Sequence, residues 1–146
     1  MIHAIRYHDI SAGHRVVGQG GACEHLHGHN YRIHFTCGAD DLNDIGMVID
    51  FSEIKKRLCH WLEDNWDHRM LIWIEDPWLY PIRDIDGTVV EVPFNPTAEN
   101  MAKHLVTKVG PRVLEGTGVV LIDCIVEETR KCSARYFKPE AALLKR

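Results

Sequence analysis

The alternation of side chains near the start of the chain predicts two paired strands. Around and after Gly28, every second residue is apolar or a histidine, and the residues between them are polar. This period of two is typical of a half-buried strand. The two sets are His27, His29, Tyr31, Ile33, Phe35 and Cys37, and Asn30, Arg32, His34 and Thr36. The mixed segment Met1 to Ile10 is predicted as an earlier strand that ends at residues 11–14, and the glycine-rich residues 18–22 are predicted as a loop. We therefore expect a long antiparallel hairpin.

A helical period replaces this alternation in two later segments. The first predicted helix runs from Phe51 to about Trp66. The second starts at Thr97, a suitable N-cap, carries Glu99 in its first turn, and ends or kinks at residues 110–111. Their predicted buried stripes are Phe51, Ile54, Leu58, Trp61 and Leu62, and Ala98, Met101, Ala102, Leu105 and Val109. Both helices are amphipathic, and we expect them to lie on a sheet.

The last part of the chain predicts further strands. A strand from about Gly118 to Thr129 alternates so that Glu127 and Glu128 point to opposite faces. The residues predicted to share the face of Glu128 are Val120, Ile122, Cys124 and Val126. Residues 88–92 and 131–137 are candidates for short strands, whereas residues 76–86, with two prolines, are predicted to be irregular. The element order predicts an α+β fold, an antiparallel sheet with two helices on one face.

The second face of such a sheet needs a cover. In so short a chain the simplest cover is another copy of the same chain, so we expect a homo-oligomer. The 146 residues, 45% hydrophobic and 26% charged, are sufficient for one core, and we expect one domain, residues 1–146.

The composition also bears on location and partners. No apolar run approaches the roughly 18 residues of a membrane span, and no signal peptide is evident, so we expect a cytoplasmic protein without a membrane partner. The odd number of cysteines, five, suits a reducing compartment. A net charge of -4 gives no reason to expect a nucleic-acid partner. An anionic substrate would need local basic groups, for which the unranked candidates are Arg15, Arg69, Lys131 and Arg135.

Three histidines have the spacing of a metal site. His27 and His29 lie two residues apart on one strand face, about 6.5–7 Å apart along the backbone. His14, near the end of the paired segment, can complete the set, and His25 in the preceding loop is the alternative. Three imidazoles leave a fourth position open, which is typical of a catalytic zinc site rather than a structural one. We therefore predict a zinc cofactor.

Further positions carry candidate chemistry whose role the residues alone leave open. Cys23 is a fourth metal ligand, an inert thiol, or a base or nucleophile whose thiolate is favoured by nearby positive charge. Asp67 and His68 can form a carboxylate-oriented imidazole for proton transfer, provided that folding brings them to Cys23. Glu128 is either solvated at a strand end or accepts hydrogen bonds from the N–H groups of a flat, amide-like heterocycle.

Taken in order, these residues resemble those of the 6-pyruvoyl-tetrahydropterin synthase and 6-carboxytetrahydropterin synthase family. The matching segments are Ser11-Ala12-Gly13-His14, Cys23 to Tyr31, Gly46 to Phe51, Asp67-His68, Pro96 to Asn100 and Glu127-Glu128-Thr129. They cover the chain almost from end to end. Two features depart from the family pattern: the segment from Ile72 to Phe94 is longer than in compact members, and Trp66 stands where an aliphatic residue is common.

The resemblance implies a zinc enzyme that acts on a pterin triphosphate. The implied site residues are His14, His27 and His29 for zinc, Cys23, Asp67 and His68 for proton transfer, and Glu128, assisted by Thr97, for the pterin ring. The resemblance also implies the tunnelling fold, in which subunits join their sheets into barrels, two trimers form a hexamer, and active sites lie at subunit boundaries.

The interval between Cys23 and His27 indicates a branch of this family. Three residues separate them, which is similar to the carboxy-forming enzymes, whereas the pyruvoyl-forming enzymes have a longer interval. The resemblance therefore implies conversion of 7,8-dihydroneopterin triphosphate to 6-carboxy-5,6,7,8-tetrahydropterin, acetaldehyde and triphosphate, a lyase step in 7-deazaguanine (queuosine precursor) biosynthesis. The alternatives are the pyruvoyl-forming reaction and a non-catalytic zinc- or pterin-binding assembly module. A metal-dependent hydrolase is disfavoured because the sequence places no acidic base beside the histidines.

Overall fold

Six strands form a single sheet in the computed structural model, which describes residues 1–143. The strands in this range are β1 (Ile2–His14), β2 (His27–Ala39), β3 (Arg69–Trp73), β4 (Val90–Val92), β5 (Val120–Glu127) and β6 (Ser133–Phe137). Their order across the sheet is β4-β3-β1-β2-β5-β6. Strands β1, β2, β5 and β6 pair antiparallel, whereas β3 runs parallel to β1 and β4 parallel to β3. The sheet is therefore antiparallel except at one side, and the predicted α+β class is confirmed.

Strands β1 and β2 form the long hairpin that the alternation predicts. Their pairing runs without interruption from the outer ends of both strands to His14 opposite His27. Strand β1 therefore ends at His14, within residues 11–14 where the sequence predicts its end. Small residues allow this close pairing, since a Cβ on Gly28 would lie only 3.1 Å from the carbonyl oxygen of Ala12. The pairing brings together the two residues that flank the intervening loop.

Two long helices cover one face of the sheet. The first long helix (residues 51–65) consists of α1 (Phe51–Ile54), a π-helical segment (Lys55–Cys59) and α2 (His60–Asn65). A short helix, α3 (Leu79–Ile85), follows β3. The second long helix (residues 98–113) consists of α4 (Ala98–His104), a π-helical segment (Leu105–Val109) and α5 (Gly110–Val113), and α6 (Glu140–Leu143) follows β6. Within residues 1–143, none of the helices has the length and apolar character needed to cross a membrane.

The second long helix begins as predicted, and at residues 110–111, where the sequence predicts an end or a kink, it continues to Val113. Thr97 is its N-cap, with Oγ1 accepting a hydrogen bond of 3.1 Å from the backbone N–H of Asn100. The helix does not end at residues 110–111. The backbone N–H of Gly110 donates to the carbonyl oxygen of Leu105, five residues back, so the helical turn here is wider than an α-helical turn. The next residue, Pro111, has no N–H to donate.

The core lies between the sheet and the two long helices. Tyr31, Ile33 and Phe35 on β2 are fully buried. The helix residues fully buried against the sheet include Ile54, Leu58, Leu62, Met101 and Leu105. Phe51, predicted to belong to the buried stripe, is instead 60% exposed, because the stripe begins one turn later at Ile54.

The opposite face of the sheet, called here the open face, has no covering layer of long helices within residues 1–143. It exposes the large side chains of Ile5, Tyr7 and Phe137. Its charged groups are paired across strands, with Arg32 Nε 2.8 Å from Asp9 Oδ1. The open face therefore has the mixture of exposed apolar groups and satisfied charges that suits contact with another protein surface.

The segment between β3 and β4 differs from the sequence prediction. Residues 76–86 are predicted to be irregular, but α3 occupies most of this stretch. The prediction is wrong because Pro81 lies in the first turn of α3, where a missing N–H removes no helical hydrogen bond. Strand β3 is absent from the prediction because five residues are too few to show alternation. The short strand predicted within residues 88–92 is confirmed by β4.

A β-bulge interrupts the alternation of β5. The register between β2 and β5 shifts near the middle of the strands, which leaves Ile122 as an extra residue. The Ile122 side chain lies against Gly38 on the open face, so a Cβ on Gly38 would clash with it. Val120 pairs with Gly38 in the strand ladder and lies on the same face. The prediction that Val120 and Ile122 share the face of Cys124 is therefore wrong, because the bulge interrupts the strict alternation of the strand.

We predict that Gly110→Ala lowers the free energy of unfolding, because overpacking costs about 1–3 kcal/mol. A Cβ at this position would lie 2.8 Å from Leu121 Cβ, where the second long helix contacts β5. The better helix propensity of alanine, about 1 kcal/mol, offsets only part of this loss. Urea unfolding measures the change. The matched control is Gly87→Ala, because nothing lies within 4 Å of a Cβ there; equal stability of both variants would contradict the close contact.

Candidate metal centre

Three histidines converge at the loop end of the β1–β2 hairpin. His14 lies opposite His27 in the ladder, and His29 shares the face of His27, so all three rings point to the side of the sheet that carries the helices. One nitrogen from each ring lies within 4.8 Å of the other two. The ring centroids are 4.5 to 5.1 Å apart. The cluster is compact enough for three nitrogens to share one metal ion.

Backbone carbonyl oxygens hold two of the three rings, those of His14 and His27, in a fixed orientation. His14 Nδ1 lies 2.6 Å from the carbonyl oxygen of Pro96, and His27 Nδ1 lies 2.7 Å from the carbonyl oxygen of His25. Because a carbonyl oxygen only accepts, each Nδ1 carries the proton and each Nε2 presents a lone pair. Within the described residues, the Nε2 atoms of His14, His27 and His29 are buried without a hydrogen-bond partner. Such unsatisfied nitrogens fit a metal ligand set.

The surroundings of His14 and His29 favour their neutral form. Burial lowers the pKa of His14 below its ordinary value, although its hydrogen bond to Pro96 and the nearby Glu128 carboxylate act in the opposite direction. Burial also lowers the pKa of His29. Burial raises the pKa of Tyr31, whose ring lies under the cluster, 5.4 Å from that of His29. The neutral imidazole is the form that binds a metal ion.

Of the two candidates for the third histidine, the structure places His14 in the cluster. His25 contributes its carbonyl oxygen to His27 and is exposed. Its ring lies outside the group of nitrogens within 4.8 Å. The distinction rests on the register of the hairpin, which puts His14 on a strand and leaves His25 in the loop.

Glu127 and Glu128 diverge as the alternation predicts. Glu128 Oε1 lies 3.4 Å from His14 Nε2 and 3.6 Å from His29 Nε2. Glu127 instead contacts His34 on the open face. An acidic group is therefore present beside the histidines, which overturns the sequence-based argument that none is available there.

A small cleft adjoins the cluster. Its volume is about 170 Å³, and it is lined by Cys23, Thr97, Glu128 and Cys132 among others. Cys23 lies in a short 3-10 helix, Ala22–Glu24, and its thiol is free and partly buried. The structure thus brings Cys23, Thr97 and Glu128 to one cleft beside the histidines. Cys132 was missed by the sequence analysis, since an isolated cysteine in a turn carries no signal.

The Asp67-His68 pair lies elsewhere. Asp67 Oδ1 accepts a hydrogen bond of 2.9 Å from the backbone N–H of Ser11, and its Oδ2 lies 3.0 Å from His68 Nδ1. Burial alone would raise the pKa of Asp67, but the hydrogen bonds from Ser11 and His68 hold it below the ordinary value. The His68 side chain is 80% exposed and lines a different cleft together with Asp9 and Arg32. Within one chain, the structure does not bring this pair to Cys23.

The four basic candidates for an anionic substrate differ in availability. The guanidinium of Arg15 is buried and bonded to Asp76, and that of Arg135 is paired with Asp123. Arg69 lines a cleft with His68, and Lys131 is exposed in the turn between β5 and β6. Arg15 is therefore removed from the candidates.

Comparison with known proteins gives consistent matches. A family model described as 6-pyruvoyl tetrahydropterin synthase matches residues 4–139. A Rickettsia bellii protein named 6-carboxy-5,6,7,8-tetrahydropterin synthase is 34% identical over 134 residues, which cover 90% of this chain and 97% of that protein. The solved structure of Caenorhabditis elegans 6-pyruvoyl tetrahydropterin synthase is similar with a TM-score of 0.67 and 25% identity, covering 94% of this chain and 96% of that one.

A further solved structure shares the fold. An uncharacterized Wolinella succinogenes protein is similar with a TM-score of 0.83 and 24% identity. The match covers 94% of this chain and 98% of that one. At this identity the likeness concerns the backbone arrangement alone.

We predict that His29→Ala loses bound divalent metal, because one of the three converging nitrogens is removed. The affinity should fall by more than the roughly 10–100-fold loss that follows removal of a mere outer-shell partner. Metal analysis after dialysis against limited zinc measures it. His25→Ala is the matched control, since its backbone carbonyl, which orients His27, is retained. Metal loss in both variants, or in neither, would contradict the three-histidine site.

Proposed function

This chain belongs to the 6-pyruvoyl tetrahydropterin synthase family, and we propose that it is a zinc-dependent 6-carboxy-5,6,7,8-tetrahydropterin synthase. The observation that carries the proposal is the cluster of three unsatisfied histidine nitrogens beside the cleft of Cys23, Thr97 and Glu128. Four relatives that carry this name are 31–34% identical over 134 residues, 90% of this chain. The short interval between Cys23 and His27 supports the same branch.

The proposed reaction converts 7,8-dihydroneopterin triphosphate and water to 6-carboxy-5,6,7,8-tetrahydropterin, acetaldehyde and triphosphate. It breaks a carbon–carbon bond and a carbon–oxygen bond of the side chain, so the enzyme is a lyase. Both cleavages require protons to be removed and returned at side-chain carbons and hydroxyls. The site must therefore hold the ring, polarise the hydroxyls and carry protons.

His14, His27 and His29 would hold the zinc ion. Three neutral imidazoles with free Nε2 lone pairs are a donor set that zinc accepts, and they leave room for a substrate oxygen. Bound zinc would act as a Lewis acid that makes the vicinal hydroxyls of the substrate side chain more acidic. The fixed Nδ1 protons of His14 and His27 keep these donors aimed at one point.

Glu128 and Thr97 would position the pterin ring. The Glu128 carboxylate can accept hydrogen bonds from the ring N–H groups, and the Thr97 hydroxyl can donate while it caps the second long helix. Because Glu128 Oε1 lies 3.4 Å from His14 Nε2, a ring anchored there keeps its side chain beside the histidines. Cys23 lines the same cleft and would remove or return a side-chain proton. Positioning of this kind lowers the entropic part of the barrier.

We further propose that Asp67 and His68 complete the cleft of a neighbouring copy. The pair is held against Ser11 and presents an exposed imidazole, yet it does not meet Cys23 in its own chain. A homo-oligomer, with a hexamer of two trimers as the family resemblance implies, would also cover the open face. In such an assembly His68, oriented by Asp67, would exchange protons with Cys23 of the next subunit.

Two rival functions would use Cys23 or Glu128 in a different role. A non-catalytic assembly module would use the thiol as a fourth metal ligand, but in the described residues the group of converging ligand atoms comprises histidines alone. A hydrolase could use Glu128 as a base. The names of the curated relatives favour the synthase. All five cysteines are free, which supports the proposed reducing, cytoplasmic location. The proposed role in 7-deazaguanine biosynthesis follows from the proposed product, and the reaction needs no nucleic-acid or membrane partner.

We predict that the zinc-loaded protein releases acetaldehyde and 6-carboxytetrahydropterin from 7,8-dihydroneopterin triphosphate, as identified by mass spectrometry. Cys23→Ala should retain zinc and lose turnover by roughly 100-fold or more, because the proton-transfer group is removed. A pyruvoyl product without acetaldehyde would assign the protein to the other branch. Zinc loss in Cys23→Ala would instead make the thiol a structural ligand.

We predict that mixed oligomers of Cys23→Ala and His68→Ala regain part of the activity that each variant lacks. Such oligomers contain some clefts with an intact thiol from one copy and an intact imidazole from its neighbour. Coexpression with two different tags and sequential purification isolates them. The control is a mixture of the separately assembled variants. A mixed oligomer as inactive as its parents would show that the cleft is not shared in this way.

A further inference from the structure

Arg15 forms a buried ion pair with Asp76. The residue is 3% exposed, and its Nε and Nη2 donate to the two carboxylate oxygens of Asp76 at 2.6 Å each. Burial alone would raise the pKa of Asp76, but the hydrogen bonds from Arg15 and from the backbone N–H of Trp78 hold it below the ordinary value. Asp76 is therefore charged at neutral pH, and the pair is a fixed, bidentate contact.

Two further contacts complete this arrangement. Arg15 Cζ lies 3.6 Å from the centroid of the Trp78 ring, and Trp78 N–H donates to Asp76 Oδ1 at 2.8 Å. Arg15 Nη1 donates to the carbonyl oxygen of Glu24 at 3.2 Å. The guanidinium therefore connects the segment that follows β3 with the backbone residue directly after Cys23.

The loop that carries Cys23 is held by contacts at several points. The backbone N–H of Val16 donates to the carbonyl oxygen of Cys23 at 2.8 Å. The side chain of Asn95 pairs with both the N–H and the carbonyl of Val17 at 3.0 Å. The hydrogen bond from Arg15 holds the backbone of Glu24, on the C-terminal side of Cys23. Asp76, the ion-pair partner of Arg15, is buried. The Arg15 side chain is therefore one of the groups that hold the turn of Cys23, through the carbonyl oxygen of Glu24.

We propose that Asp76, acting through Arg15, is a positioning residue for Cys23. This inference rests on the catalytic role proposed for that thiol. A buried ion pair contributes little net stability compared with an apolar replacement of the same shape, whereas its geometry is specific. The segment from β3 to β4 therefore has a role in the site: it supplies the acid and the aromatic ring that fix Arg15.

The test is Asp76→Asn, with Glu75→Gln as the matched control. Both changes remove one negative charge, but Glu75 is exposed and neighbours the pair only in sequence. In Asp76→Asn the kcat should fall about 10–100-fold with little change in KM, because the thiol is displaced from the reacting atoms. Zinc content should stay the same. Alkylation of Cys23 by iodoacetamide, followed by mass spectrometry of its peptide, should be severalfold faster as the loop loosens.

Several outcomes would overturn the inference. A lower melting temperature in Asp76→Asn with wild-type kcat and wild-type alkylation of Cys23 would make the ion pair purely structural. If that variant does not fold, Trp78→Leu decides, since it removes the stacked ring and keeps the ion pair; it should shift the alkylation rate and kcat in the same direction, and unchanged values would contradict the proposal. Should the wild-type protein release no acetaldehyde, the synthase proposal fails, while the alkylation rates still test the positioning of Cys23.

Discussion

The pairing of β1 with β2 is the constraint on which the candidate site depends. Backbone hydrogen bonds set His14 opposite His27, and strand geometry places His29 on the same face. The same parity continues into Tyr31 and Ile33, which are buried in the core. A slip of one residue would turn the imidazoles of one strand to the open face and expose core side chains together with them. The register of these two strands therefore determines both the stability of the hairpin and the geometry of the histidines.

The sequence predicts the features whose signal is local and misses those that depend on distant contacts. The parity of β2, the N-cap at Thr97 and the divergence of the two final glutamates all follow from neighbouring residues. The role of the Pro96 carbonyl does not, because every residue has a carbonyl and only the fold places this one behind His14. The Arg15–Asp76 pair is similar: an arginine beside a candidate site suggests a bound anion until burial shows that its partner is internal.

The sheet distributes the candidate residues between its two faces. Cys23, Thr97 and Glu128 gather on the side of the helices, whereas the Asp67-His68 pair lines a cleft together with residues of the open face. Cys23, Thr97, Asp67 and His68 lie outside the strands, so the connecting segments determine on which side of the sheet each one lies. Within one chain the two sets do not meet, and the shared cleft proposed above would bring them together. The division therefore connects the proposed chemistry to assembly.

The bulge at Ile122 resets the alternation of side chains along β5. The additional residue is accommodated on the open face against Gly38, so the ladder on either side of it keeps its partners. Leu121 stays in the core and Glu128 stays beside the histidines, although one residue more than strict alternation requires separates them. An insertion of a single amino acid in a central strand would normally reverse the orientation of everything beyond it. Here the bulge accommodates the extra residue locally, so Leu121 and Glu128 lie on the same side of the sheet.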